Sequence, residues 1–440
     1  VRIEPYERYK ESGVEWLGEV PEGWGIKRLK DLTKILTCGV ASTPEYVSEE
    51  NGVPFLSAQN VRPNQLDLSK YRCISKELHK QLTKYRRPLK DDVLVTRVGA
   101  GIGDACIVDI DLEFSIYVSL THIRTSNEII PRFLVYFFGT NYLSILNKAG
   151  TPDGGGQGNL NVKNVNRFLI AIPSISKQKS IADYLDTKTN QIDQEVNLLT
   201  KKSEQYVKLK QSLINETVTQ GLDKAVVMKG SGIEWISDIP EHWGVKRTKE
   251  ISTINKSSLS EKTQLDYEFE YIDIGSVTYG IKGYSTERMT FKDSPSRAKR
   301  IVEKGDTIIS TVRTYLKAIA SISEDVQDII VSTGFAVISP KRQLNEKYCS
   351  YLLTSEFIID EISAKSKGVS YPAITATEIG DLLFLMPPIE EQKMISIYLD
   401  KKTNKIDTIT KTINNKINKL KELRKTLIND VVTGKIKVVS

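Results

Sequence analysis

The sequence predicts an α+β protein, with two similar mixed α/β globules joined by two long antiparallel helices. These form a coiled coil in a pseudo-twofold, nearly circular arrangement. Leu185, Ile192, Leu199, Tyr206 and Leu213 stand seven residues apart, and Leu399, Ile406, Ile413, Leu420 and Leu427 repeat that period 214 residues later. A sustained seven-residue period marks the seam of a supercoiled helix pair. SGVEWLGEVPEGWGIKR (Ser12–Arg28) matches SGIEWISDIPEHWGVKR (Ser231–Arg247) at 10 of 17 positions, and PSISKQKSIADYLDTKTNQID (Pro173–Asp193) matches PPIEEQKMISIYLDKKTNKID (Pro387–Asp407) at 13 of 21. The matches alternate along the chain, so similar frames enclose two divergent inserts.

In order, the chain divides into an N-terminal frame segment (1–25), a first globule (26–173), a central helix (174–221), a linker with the second frame segment (222–244), a second globule (245–387), a C-terminal helix (388–435) and a tail (436–440). The first insert carries short β-branched runs at Val53–Val61, Asp92–Gly99, Asp104–Ile110 and Tyr117–Thr125, bounded by turn residues. The second answers with Phe269–Val277, Asp306–Thr314, Ala318–Ile322 and Gly334–Ser339. A helical pattern follows each, over Pro131–Leu146 and Asn345–Ile362, with apolar residues three and four apart. The rods come next. Ser176 is placed to cap the first, Glu390 and Glu391 lie in the first turn of the second, and each rod ends near a glycine, Gly221 or Gly434.

The linker after Gly221 is too short for a long crossover, so paired rods lie antiparallel. About 45 residues of helix span roughly 65 to 70 Å, with a globule towards each end. Tyr206, Leu209, Leu213, Leu423, Leu427 and Val431 suit the seam, which leaves Ile181, Tyr184, Ile395 and Tyr398 as apolar residues for partner proteins. The tail TGKIKVVS followed by the opening VRIEPYERYKESGVEW resembles the interior linker TQGLDKAVVMKGSGIEW, so the last residues are expected beside the first globule.

A chain of 440 residues exceeds what one core serves. No apolar run reaches the ~18 residues of a membrane span, and the charged opening lacks the apolar core of a signal peptide; the expectation is a cytoplasmic protein. Cys38, Cys73, Cys106 and Cys349 lie far apart, which argues against both a disulfide framework and a metal site. Net charge is +7, a lean towards a polyanion. The second rod is the basic one: residues 390–435 hold eleven basic and six acidic side chains, against seven and six in residues 176–221.

Two matched modules on a spacer suit duplex DNA, whose strands are twofold related, and divergent inserts imply a split, asymmetric target with an unread middle. DNA readers need cations for phosphates, with Arg, Asn and Gln for base edges. In the first insert the candidates are Gln59, Asn60, Arg62, Asn64 and Arg97, then Gln157, Asn159, Asn161 and Lys163 in the glycine-rich stretch Gly150–Asn164. In the second they are Arg297, Lys299, Arg300, Arg313 (read as the parallel of Arg97), Lys365, Lys367, Ser370 and Tyr371. Each also suits ordinary turn or surface chemistry. Trp16, Trp24, Trp235 and Trp243 belong to the frames and suit packing. GAGIGD (Gly99–Asp104) has the wrong spacing for a dinucleotide loop and leads into a strand pattern. His79, His122 and His242 have no partners in the other repeat, and no catalytic residue or metal ligand is assigned.

The paired SG(V/I)EW…PExW openings at Ser12 and Ser231, with the paired QK…YLDxKTNxID helix starts after Pro173 and Pro387, resemble the specificity subunit of type I restriction-modification enzymes over essentially the whole chain. The resemblance implies a non-catalytic subunit with two target-recognition domains that binds double-stranded DNA and docks two methyltransferase subunits. It also implies motor-nuclease subunits, with S-adenosylmethionine, ATP and Mg on the partners and no cofactor on this chain. The sequence has no Asn/Asp-Pro-Pro-aromatic motif and no GxxxxGK[ST] loop. That weighs against a self-contained methylase or nuclease, and the duplicated globules weigh against a coiled-coil adaptor without a DNA role.

Overall fold

The computed structural model describes residues 2–99, 101–142, 159–233, 236–278, 283–322, 328–368 and 370–439. The chain forms two units, Val1–Thr200 with Asn415–Ser440, and Lys201–Asn414. Both divisions fall inside the long helices Ile175–Gln220 and Ile389–Val432, so each unit owns one globule and a part of each rod.

In the first unit an antiparallel sheet of four strands runs in the order Ala105–Ile107, Val93–Thr96, Leu120–Thr125, Thr33–Cys38. A second sheet joins Ser115–Ile116, Gly52–Leu56 and Arg72–Ser75. Its parallel pair is possible because a long excursion separates the two strands. Gly25–Arg28 pairs with Leu169–Ile172 at the base of the globule. The helix Pro131–Phe138 buries Phe133, Leu134, Tyr136 and Phe137 against the first sheet and the rod residues Ile181, Leu185 and Ile428. Arg2–Glu4 pairs with Lys437–Val439, so the last residues lie beside the first globule.

The second unit repeats this plan. Ser252–Ile254, Phe335–Pro340, Thr307–Ser310 and Ile319–Ser321 make the four-stranded sheet, and Gly244–Arg247 pairs with Leu383–Met386. Its second sheet has five strands. The helical stretch from Asn345 is two helices, Glu346–Leu353 and Glu356–Lys365, because the chain breaks at Thr354 and Ser355. Of Pro131–Leu146, the helix is described over Pro131–Phe138, and residues 143–158 lie outside the described residues.

The QK…YLDxKTNxID motif fastens rod to globule. Gln178, fully buried, donates through Nε2 to the Glu128 and Pro173 carbonyls at 2.9 and 3.0 Å, and its Oε1 accepts from the Ile130 N–H at 2.9 Å. Gln392 does the same with Gln343, Pro387 and Asn345. Tyr136 donates to Asp186 at 2.5 Å, and Tyr351 to Asp400 at 2.9 Å, with Thr189 and Thr403 beside each hydroxyl. Buried polar groups satisfied in this way fix one docking geometry, since an unpaired one costs about 1 to 3 kcal/mol.

Within each unit the rod segments are antiparallel. Asp193 meets Arg424 at 3.0 Å and Glu195 meets Lys416 at 2.7 Å in the first. Lys210 meets Asp407 at 2.7 Å and Ser203 meets Asn414 at 3.3 Å in the second. Leu185, Ile192, Leu399, Ile406 and Ile413 are buried; Leu199, Tyr206, Leu213, Leu420 and Leu427 are half-buried.

Three sequence expectations change here. Ile181, Tyr184 and Ile395 are buried in the cores and Tyr398 is packed against one, so they face their own globules and not partners. With Leu185 and Leu399 they complete a stripe one turn wide, the width a globule-packed helix requires. Leu209 and Leu423 leave the seam, being 53% and 54% exposed. The first rod begins at Ile175, so the cap is Ser174, whose Oγ accepts from the Lys177 N–H at 3.4 Å. Gly221 and Gly434 are left-handed, at φ 72 and 80°, as helix-terminating glycines are.

Candidate nucleic-acid interface

In the first globule the turn 97–104 links Val93–Thr96 to Ala105–Ile107. The Arg97 N–H donates to the Ser119 carbonyl at 2.9 Å, the Thr96 N–H to the Asp104 carbonyl at 2.8 Å, and the Leu160 N–H to the Arg97 carbonyl at 2.9 Å. Ser119 Oγ also accepts from the Ala58 N–H at 3.0 Å. Segments 57–66 and 97–104 therefore meet at Ser119, and 159–164 joins them through Arg97, although they are far apart in sequence.

Gln59 and Arg62 stand exposed there, Arg62 within 4.0 Å of Asp67. Asn64 occupies a left-handed position (φ 63°) in the two-residue turn joining Val61–Arg62 to Gln65–Leu66, and its N–H donates to the Ala105 carbonyl at 2.9 Å. Asn159 is exposed and bridges to Val98, and Lys163 is exposed. Asn161 caps the short helix Val162–Val165. Gln157 lies outside the described residues.

Two candidates become structural residues. Asn60 is 1% exposed; its Oδ1 accepts from the Ser57 N–H, and its Nδ2 donates to the Asp67 and Lys70 carbonyls at 2.9 and 2.7 Å. Arg97 is 7% exposed and spends its guanidinium on the Leu160 and Val118 carbonyls at 3.0 and 2.8 Å. Burial and these bonds hold both side chains inside the globule, away from a base edge.

The second globule builds the same turn at 311–318. The Thr311 N–H donates to the Gly334 carbonyl at 2.8 Å, the Ser310 N–H to the Ala318 carbonyl at 2.9 Å, and the Ile374 N–H to the Thr311 carbonyl at 2.8 Å. By this register Arg97 corresponds to Thr311, and Arg313 corresponds to Gly99; the expected parallel between the two arginines is off by two residues. Gly99 and Gly103 have φ 91 and 92°, whereas Arg313 and Lys317 have φ 52 and 50°. A left-handed residue with a Cβ costs about 1 kcal/mol or more.

Arg313 lies over the Tyr371 ring, 5.0 Å from its centroid, and both are exposed. A guanidinium held against an aromatic face keeps its donor fork oriented. Lys365 and Lys367 flank them, at 3.6 Å from Glu361 and 3.7 Å from Glu378, and Ser370 is exposed nearby in sequence. The turn also presents Tyr315, Leu316 and Lys317, which sequence reasoning missed; only the matched strand spacing around the two turns signals them.

The basic run Arg297, Lys299, Arg300 is not one surface. Lys299 and Arg300 are neighbours in the strand Ala298–Ile301, so they point to opposite faces. Lys299 pairs with Glu261 at 3.1 Å and covers Phe291, while burial lowers the pKa of the half-buried Arg300. Arg297 is exposed.

Equivalent buried carboxylates precede the strands that lead into the two turns. Burial pushes the Asp92 carboxyl up, but hydrogen bonds from His122 at 2.6 Å and Arg124 at 2.8 Å outweigh it and hold it below the usual carboxylate range. Asp306 has no hydrogen-bonded cation among the described residues; Lys256 acts on it only through space, and Lys256 itself pairs with Glu303 at 3.1 Å. The strand register sets Val337 and Ser339 where the first globule has His122 and Arg124, and burial leaves the Asp306 carboxyl raised. His122 is therefore a structural partner of Asp92. Trp16 stacks on Tyr142, while Trp24 and Trp243 are buried; Trp235 lies outside the described residues. Among the described residues no group of three or more His, Cys, Asp or Glu side chains is placed to hold a metal ion, and no helix is long and apolar enough to cross a membrane.

Comparison with known proteins agrees with this duplicated plan. The family model described as type I restriction modification DNA specificity domain matches twice, at residues 21–201 and 240–419. The type I restriction enzyme MjaVIII specificity subunit of Methanocaldococcus jannaschii is 22% identical, covering 98% of this chain and 97% of its own length. The StySPI specificity subunit of Salmonella potsdam is 21% identical over 95% and 90%. Among solved structures, a chain from work on complex assembly and conformational transition of the type I R-M system shares the fold at TM-score 0.71, with 16% identity over 94% of this chain and 99% of that one. The HsdS subunit of Thermoanaerobacter tengcongensis gives TM-score 0.51, with 16% identity over 94% and 98%.

Proposed function

The chain belongs to the family of type I restriction-modification DNA specificity subunits, and from that premise we propose that it reads a split, asymmetric duplex sequence, one part with each globule, without chemistry of its own. The carrying observation is the pair of turns at 97–104 and 311–318. The same backbone frame, tied by the same three hydrogen bonds, presents different side chains, as two readers of different half-sites require.

Gln59, Arg62, Asn159 and Lys163 are the base and phosphate contacts we assign to the first globule. Arg313, Lys317, Lys367 and Tyr371 are those of the second. Asn64, Asn161, Arg297, Lys365 and Ser370 border these groups as phosphate or water-mediated contacts.

Two methyltransferase subunits are the partners, docking on the outer faces of the rods in a cytoplasmic complex that also takes motor-nuclease subunits. Leu209 and Leu423 support this placement: they are repeat-related, half-exposed and apolar, so each unit offers the same contact. S-adenosylmethionine, ATP and Mg belong to those partners in this reading. Leu209→Glu together with Leu423→Glu is expected to weaken methyltransferase assembly at least tenfold, measured by analytical ultracentrifugation, with the fold unchanged by circular dichroism.

The test of DNA reading is selection from random duplexes with the partner-loaded chain. A split motif should be enriched, and affinity should fall steeply between about 50 and 200 mM salt. Exchanging residues 26–171 for another family member's insert should change one half of the motif only. A selection without enrichment, or a change in both halves, would defeat the reading.

A further inference from the structure

Resting on that DNA-reading function, we infer that the second globule wedges Tyr315 and Leu316 between base pairs of its half-site, and that the first globule has no such wedge. Tyr315 and Leu316 are 58% and 45% exposed at the tip of the turn. The corresponding residues of the first globule are Gly101 and Ile102, both only half-exposed. Their neighbours in the second turn, Arg313 and Lys317, are exposed cations on either side of the apolar pair.

The backbone sharpens the contrast. Both turns need left-handed residues at the same two places, and the first meets the need with glycine. The second keeps Arg and Lys there against their conformational preference, and none of the four side chains is buried in its own globule. Arg313 has one contact within its globule, the exposed Tyr371 ring, and strain retained at an exposed surface points to a contact outside the globule. An apolar wedge flanked by cations matches duplex DNA, where such side chains unstack one base step and the cations hold the adjacent phosphates. Tyr371 lies under Arg313, and Lys365 and Lys367 stand beside it on long, partly exposed ion pairs with Glu361 and Glu378. Arg313 and Lys317 pair with no carboxylate among the described residues, so the apolar pair is edged by cations, which favours DNA over a protein partner. Half-site selectivity then comes partly from how easily one step opens.

The experiment uses the enriched split duplex with 2-aminopurine substituted at successive positions of both half-sites, bound to the full chain with its methyltransferase partners. Apart from the bases that the methyltransferase partners flip out for methylation, fluorescence should rise several-fold at one step of the second globule's half-site, assigned by insert exchange, and at none attributable to the first globule. Tyr315→Ala with Leu316→Ala should abolish the rise and reduce selectivity for that half-site at least tenfold, while Tyr315→Phe should retain both. Wild-type selectivity without that rise would overturn the wedge and leave DNA reading intact. A double variant that reads DNA normally but loses its partners would give the pair to a protein contact and also overturn it. If no split sequence is enriched at all, DNA reading fails and the wedge fails with it.

Discussion

At the turn 97–104 of the first globule the left-handed positions are Gly99 and Gly103, and the nearby arginine, Arg97, is buried and holds carbonyls together. At 311–318 of the second they are Arg313 and Lys317, and the arginine lies on the surface over Tyr371. The three tying hydrogen bonds are the same. The difference teaches that one turn backbone can be held constant while the side chains it exposes change. It also shows that an arginine beside such a turn is not by its type a DNA contact.

The two globules also differ at the other end of the strands that carry the turns, and there the difference is largest. Asp92→Ala should cost the first unit about 3 to 5 kcal/mol, because it strands Arg124 and the His122 imidazole without their partner. Asp306→Asn should cost the second under about 1 kcal/mol, since no cation among the described residues is hydrogen-bonded to it and Lys256 keeps Glu303 as its partner. Chemical denaturation of the full chain, read by hydrogen exchange at Val93–Thr96 and Thr307–Ser310, separates the two. Acid should reproduce the asymmetry. The Asp92 carboxyl is depressed in the folded state, so its stabilisation is complete above about 3.8 and is lost as pH falls through the folded value. Asp306 is raised, so its ionised form costs stability above the folded value, and acid removes that cost. Exchange rates corrected for intrinsic pH dependence should show the first sheet loosening before the second.

A middle-sized effect comes from converting the second turn to the first one's pattern with Arg313→Gly, Tyr315→Gly and Lys317→Gly together. The fold should survive, because the matched turn is built on glycines, while affinity for the second half-site falls on the order of 10²-fold. Fluorescence anisotropy with duplexes altered in one half-site at a time measures this. An equal loss at both half-sites would end the claim that the turns read separately.

Arg313→Gly alone gives the smallest change. It should raise the stability of the second unit by about 1 kcal/mol by removing a left-handed Cβ. It should also lower affinity for that half-site about tenfold through loss of one oriented guanidinium. Thermal melts and anisotropy on the same preparation show whether the two effects oppose.

The repeat made much of the fold legible. Heptad leucines and isoleucines must be covered somewhere, and all nine, with Tyr206, lie buried or half-buried along the rods. The candidate site was less legible. Asn60 and Arg97 look like readers in sequence because their polarity is visible and their partners are not; Lys70, Val118 and Leu160 reach them only after the sheets close. Tyr184 and Ile395 looked like leftover apolar residues because a helix seam and a helix facing a globule share one period, while Leu209 and Leu423 were hidden in that same pattern.

By itself, then, the sequence determined the duplication, the two long helices, the pairing of the last residues with the first globule and the family. These depend on local period and repeated motifs, which are properties of neighbouring residues. Only the tertiary structure decided which polar side chains are spent internally and which turn positions are left-handed. It alone revealed that Arg313 corresponds to Gly99. Those outcomes depend on strand register, where a slip of a residue or two changes what every side chain meets, and register is set by long-range hydrogen bonds that the sequence does not display.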